Sequence, residues 1–188
     1  IMKTKKKSLK KDKYHLIKRT VPVRKEYGMK LKDDYENIKM GNDHLMEITN
    51  NNSDALSLIF VNLSDVPITI QYKSGLKWIT PTNHNRGKDK YSWENIRPSN
   101  KFPKTDYHST KQITGYLYSK WRILYKDKIY TFKLTPSKDK KNNKHIYFFS
   151  KRKYKITRKL LEDFLVYQIE EGNKINIMDG LQPSFNKR

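Results

Sequence analysis

A chain of 188 residues with a formal charge of +22, 41 Lys+Arg against 19 Asp+Glu, and only 35% hydrophobic residues can bury a modest core and no large one. The absence of cysteine excludes disulfides, thiolate zinc sites and cysteine nucleophiles, and the longest apolar run, Ala55 to Leu63, is about half the ~18 residues that a membrane span needs. A compact body with this charge repels itself, so a polyanion that cancels the charge is the expected partner, RNA first and DNA as the alternative.

Charge is segregated along the chain. Residues 1–32 carry +11, residues 33–72 carry −6, residues 73–159 carry +19 and residues 160–188 carry −2. Residues 1–32 read as a basic N-terminal arm, because they have no hydrophobic period and because Lys5, Lys6, Lys7, Lys10 and Lys11 form a dense cationic run. No apolar stretch follows those lysines, which argues against a secretory signal. Residues 33–81 form an acidic and apolar segment. Its first part, DYENIKMGNDHLMEIT, offers a short helix interrupted by Gly41. Its second part, ALSLIFVNLSDVPITIQYKSGLKWITP, predicts three strands of an antiparallel meander with turns at Ser64-Asp65 and Ser74-Gly75.

Residues 82–112 read as an extended basic loop. Arg86, Lys88, Lys90, Arg97, Lys101, Lys104 and Lys111 alternate there with Tyr91, Trp93, Phe102, Tyr107 and many Asn, Ser and Thr. Cations neutralise phosphates with release of counterions, and aromatic rings stack on unpaired bases. A structureless loop of this length is unusual inside a domain, and the expectation is that RNA orders it. Trp93 is the tryptophan expected to touch the partner; Trp78 and Trp121 lie in strand patterns and are expected in the core or on a sheet face.

Residues 113–172 supply strands and a helix. In GYLYSKWRILYKDKIYTFKLTP, Lys126-Asp127 is the turn between two alternating runs, and KHIYFFSKRKYKIT adds one or two strands. TRKLLEDFLVYQIEEGNK predicts a helix with Thr157 as N-cap, an apolar face of Leu160, Leu161, Phe164, Leu165 and Ile169, and a stop at Gly172. Residues 173–188 form a tail. The fold class is therefore α+β: a small antiparallel β-rich body with a C-terminal amphipathic helix, an extended basic N-terminal arm and a long basic loop.

Just before and within the first turn of that helix stand Lys151, Arg152, Lys153, Lys155 and Arg158. Cations at a helix N-terminus oppose its dipole, and a bound anion would remove the conflict. Chemistry-bearing patterns are otherwise missing. The five histidines are scattered without ligand spacing, and neither a Walker-type loop nor a nucleophile elbow occurs. No catalytic residue, metal or cofactor is expected, and the chain is read as a non-enzyme.

Two short stretches resemble known families. GLKWITPTNHNR, Gly75 to Arg86, resembles the closing segment of HNH-type homing endonucleases, which implies metal-dependent hydrolysis centred on His84; that chemistry needs an upstream histidine base, and Ala55 to Lys77 holds no histidine. Ser119 to Gln168 resembles AP2-like DNA-binding domains in its order of three strands and a helix. That resemblance implies a three-stranded sheet entering the major groove, with Trp121 and Arg122 as contacts.

One compositional bias narrows the leading reading. Alanine occurs once, at Ala55, only eight of the basic residues are arginine, and Lys, Asn, Ile and Tyr abound, as expected when codons drift toward A and T. Mitochondrial genomes show that drift, and the soluble, basic products they retain are ribosomal. The expected function is thus an RNA-binding structural component of a ribonucleoprotein, a mitochondrial ribosomal protein of the matrix that contacts rRNA and neighbouring ribosomal proteins. A cytoplasmic DNA-binding protein of a phage, plasmid or mobile element is the alternative, with the nuclease third.

Overall fold

The protein is described from a computed structural model that covers residues 14–22, 36–38, 55–82, 92–139 and 142–178. Nine strands and one helix lie within these residues: β1 (His15–Val21), β2 (Glu36–Ile38), β3 (Ala55–Asn62), β4 (Thr69–Ser74), β5 (Lys77–Ile79), β6 (Thr110–Tyr116), β7 (Lys120–Tyr125), β8 (Lys128–Lys133), β9 (Lys144–Ser150) and α1 (Arg158–Met178). They form a five-stranded sheet of order β2-β1-β9-β3-β6 and a four-stranded sheet of order β5-β4-β7-β8. All pairings are antiparallel except β3 with β9, which run parallel.

The five-stranded sheet is the middle layer of three, and its sequences show why. Along Leu58-Ile59-Phe60-Val61 and Ile146-Tyr147-Phe148-Phe149, consecutive side chains point to opposite faces. Leu58, Phe60, Tyr147 and Phe149 enter one core with Ile68, Ile70, Trp121, Ile123, Phe132 and Leu134 of the other sheet and its flanks. Ile59, Val61, Ile146 and Phe148 enter a second core with Ile156, Leu161 and Phe164 around the start of α1. A strand covered on both faces must be apolar without alternation, which is what these runs are. Burying each such side chain contributes on the order of 1.5–3 kcal/mol before entropy is counted. Phe60 is the ring at the centre, 5.3–5.8 Å from Tyr147, Trp93, Phe132 and Trp121.

The β-rich body and C-terminal helix therefore stand, and the predicted meander does not. β4 and β5 form a hairpin whose turn places Gly75 at φ 60°, a conformation that Gly adopts without steric cost. β3, however, lies in the other sheet. Between them Asn62 turns the chain: its buried Oδ1 accepts from the amide and the hydroxyl of Ser64, while Nδ2 donates to the carbonyls of Val66 and Ile96. The Ser64-Asp65 signal thus marks a crossing between layers rather than a hairpin.

Residues 92–109 correct the long basic loop in its second half. They form a strap held by the body: Trp93 donates its amide to Pro81, Ile70 donates to Trp93, Ile68 and Ile96 exchange backbone bonds, and Ser99 donates to Asn62. Trp93 and Ile96 sink into the inter-sheet core, and Phe102 reaches the second core, packing against Phe148, Tyr154 and Phe164. A Trp and an Ile at this spacing anchor the segment without regular structure.

β7 and β8 pair across Lys126-Asp127 as expected, with Lys126 at φ 50°. The AP2-like order fails at the next step, because β9 pairs with β1 and β3 in the other sheet. Trp121 points inward at 2% exposure. In α1 the core-facing stripe is Leu161, Phe164 and half-buried Leu165, whereas Ile169 is 67% exposed; the helix also runs through Gly172 to Met178.

Candidate anion-binding site

Three segments meet at the N-terminus of α1 around a cavity of about 730 Å³ lined by Arg19, Lys153, Lys155, Ile156, Thr157, Arg158 and Lys159. β1 supplies Arg19. Because Ile17 and Val21 face the helix-side core, Arg19 between them faces the same way and is buried at 1% exposure, donating from Nη1 to the Ile156 carbonyl. The connector 151–157 leaves β9 and supplies Lys153 and Lys155, both exposed. Its end is pinned by Ile156, buried at 1% exposure beneath the start of the helix.

Thr157 caps α1 as expected. Its hydroxyl accepts from the Leu160 amide at 3.2 Å, and its carbonyl accepts the first helical bond from Leu161. No acid lies in the first turn; Arg158 and Lys159 stand there instead. Lys159 reaches one turn forward to Asp163 at 3.1 Å, an exposed pair that contributes a few tenths of a kcal/mol. Among the described residues, the cavity lining contains five cationic side chains and no carboxylate. Such an arrangement attracts anions through three additive causes: side-chain charge, the helix dipole and first-turn N–H groups directed outward.

Of the cationic residues predicted for this cluster, Lys153, Lys155 and Arg158 converge on the cavity. Lys151 turns away to Asp65, 3.1 Å distant, whose other oxygen accepts from the Tyr14 hydroxyl at 2.8 Å. The Tyr14 hydrogen bond, with Lys151 adding, holds the Asp65 carboxyl below its ordinary range. Arg152 is exposed beside the connector and does not line the cavity.

Arg97, Lys101 and Lys104 are exposed on the strap. Phe102 between them lies 5.7 Å from Tyr154, so the strap borders the connector that carries Lys153 and Lys155. Trp93 corrects its expectation. At 3% exposure, edge-on to Phe60 and 5.7 Å from Trp121, its ring is consumed by the core and offers no face for a base. Lys5, Lys6, Lys7, Lys10, Lys11, Arg86, Lys88 and Lys90 lie outside the described residues.

Arg19 and Lys159 were missed. The signal for Arg19 is a Lys18-Arg19 pair in the middle of the strand HLIKRTV, between Ile17 and Val21, where a buried charge needs a specific use. Its neighbour Lys18 faces the other core, buried, donating from Nζ to the Thr135 carbonyl at 2.9 Å.

A second basic locus lies on the outer face of the four-stranded sheet. There the Arg122 guanidinium sits 4.3 Å and the Lys73 ammonium 5.0 Å from the centre of the Trp78 ring, and Arg122 Nε donates to Gln71. Both cations lie within cation–π range of the Trp78 ring.

Among the described residues, no group of three or more His, Asp and Glu is placed to hold a metal, and no helix is long and apolar enough to cross a membrane. No protein-family model matches the chain, and neither a curated protein nor a solved structure shows significant similarity to it.

Proposed function

We propose that the protein is an RNA-binding structural component of a large ribonucleoprotein, a ribosomal protein of the mitochondrial matrix, which acts by neutralising phosphates and holding RNA against a β-rich body rather than by catalytic turnover. The observation that carries this reading is the cavity at the start of α1, where β1, the connector and the helix bring five cationic side chains together with no carboxylate among the described lining residues. Cations held in such proximity raise one another's energy, and a polyanion relieves that cost. The exposed Arg97, Lys101 and Lys104 extend positive charge along the neighbouring strap. The A/T-biased composition supports the mitochondrial ribosome as the assembly, and neighbouring ribosomal proteins would be the protein partners.

The test is sedimentation of the native protein from lysate at moderate salt, together with competition between structured RNA and duplex DNA for the purified chain. Co-migration with ribosomal particles and preference for RNA are expected. A protein that stays at the top of the gradient and prefers duplex DNA would sink the ribosomal reading in favour of a DNA-binding one.

A further inference from the structure

The helix-side core covers only part of its face of the five-stranded sheet. Ile59, Val61, Ile146 and Phe148 fill that core with Leu161 and Phe164 of α1. Toward the N-terminal ends of β3 and β9, alternation aims Ala55, Ser57 and Lys144 to the same face, and β6 adds Gln112, Thr114 and Tyr116 beside them. In register, Ser57 stands between Lys144 and Thr114, and Ala55 stands beside Tyr116. Ala55, Gln112 and Thr114 are exposed, Tyr116 is 51% exposed, and Ser57 and Lys144 are half-buried. An open shelf of sheet thus extends beyond the core, and it shares no residue with the lining of the α1 cavity.

The contacts within this shelf leave bonding capacity to spare. Gln112 donates from Nε2 to the Ser57 hydroxyl oxygen at 3.2 Å, which leaves Gln112 its carbonyl and a second N–H, and leaves Ser57 its own proton to donate. The Tyr116 ring makes no ring contact among the described residues. Lys144 makes no hydrogen bond or ion pair among them either, and burial pushes its ammonium below the ordinary lysine range. A partly desolvated cation with no counter-ion beside it destabilises the fold, and an anion docked next to it removes that cost.

A sheet face with an exposed ring, neutral amide and hydroxyl groups and one cation matches unpaired nucleotides. The ring stacks on a base, the neutral groups meet base edges and 2′-hydroxyls, and the cation takes a phosphate. Double-helical RNA matches it poorly, because its bases are already stacked on one another and its sequence edges are turned inward. A protein partner of the usual kind needs an apolar centre, which the shelf lacks. Resting on the reading that the protein binds RNA, we propose that this shelf holds a short unpaired segment of that RNA, with one base stacked on Tyr116 and a neighbouring phosphate at Lys144. The two residues are roughly 12 Å apart at the backbone, from two strand spacings and two residues of rise, so one strand can touch both. Gln112 and Ser57 lie along the path between them and read the edges that pass over.

The experiment titrates the full chain with one labelled oligoribonucleotide, as a single strand and annealed to its complement. Tyr116→Ala should weaken single-strand binding about tenfold and duplex binding less than twofold, since paired bases present no face to the ring. Tyr116→Phe should keep the parent affinity, and Gln112→Ala should weaken the single strand severalfold. Lys144→Gln should make the log–log salt slope on the single strand shallower by about 0.7, one phosphate's worth. The melting temperatures of the Tyr116 and Gln112 variants should match the parent, because both positions are exposed.

Parent-like single-strand affinity in both Tyr116→Ala and Gln112→Ala overturns the shelf even if the protein binds RNA well, and leaves the ribonucleoprotein reading standing on the α1 cavity. Equal losses on single strand and duplex overturn it too. A parent chain that binds neither RNA removes both the shelf and the reading it rests on. Tighter binding of single-stranded DNA of the same sequence, lost in the same variants, overturns the RNA occupant and favours a DNA-binding protein.

Discussion

Trp93 and His145 show how single positions in this basic chain are governed by burial. The Trp93 indole stands at the junction of strap and sheets, against Phe60 and Trp121. Trp93→Ala should cost about 3–5 kcal/mol in urea unfolding, and RNA binding should fall only as far as the folded fraction falls. A variant that folds normally yet loses RNA affinity would show that the ring serves a partner after all. His145, 1% exposed on the inter-sheet face, has its imidazole pushed down to about 4 by burial, with the charge of Lys18 acting in the same direction. Its ordinary value is near 6.5, so above that pH both folded and unfolded chains hold it neutral and it exerts no pH dependence. Below that, the unfolded chain takes up a proton that the folded one refuses. Stability therefore drops as pH falls from about 6.5 to about 4, by roughly 3 kcal/mol in all. His145→Gln should flatten that part of the stability curve relative to the parent, as measured by denaturant midpoints across pH.

At the scale of elements, α1 begins with its charges opposed to its dipole and is anchored by one side-chain cap. Thr157→Ala should lower stability by about 1 kcal/mol, as read from chemical denaturation, and saturating polyanion should recover part of that loss by neutralising the same helix end. The cap, the helix and the β7–β8 hairpin were legible because each is set by neighbours in sequence: a hydroxyl three residues before the amide it accepts from, a 3.6-residue stripe, a two-residue turn. The sheet partition was not. LIFV and IYFF reveal from their unbroken apolar runs that both faces are covered, yet nothing local says that β3 and β9 lie side by side and parallel, since that choice is made by packing between distant segments. The strap was misread for a related reason. Trp93, Ile96 and Phe102 are spaced irregularly, so no period announces that they are buried.

For the whole molecule, the charge that was the first sequence signal sets the expected strength of binding and its dependence on salt. Binding should weaken as salt rises, with a log–log slope of about −0.7 to −0.9 per phosphate neutralised; eight contacts would give a slope near −7 on duplex. Lys153→Glu with Arg158→Glu should make the slope shallower by about two contacts' worth, measured by titration at several salt concentrations. An affinity flat in salt would undo the polyanion argument altogether. The candidate site was legible in half. Lys153, Lys155 and Arg158 are consecutive enough to stand out, whereas Arg19 joins them only because β1 lies beside β9, across more than half the length of the chain.

That adjacency has a consequence in time. β9 is the strand that joins β1 and β2 to β3 and β6, and it leaves the ribosome long after β1 and β3. During synthesis the hairpins β4–β5 and β7–β8 can close as they emerge, but the apolar edges of β1 and β3 must wait. The five-stranded sheet is thus held open until β9 arrives, and the cavity, walled by β1 and by the segment that follows β9, cannot be completed before it.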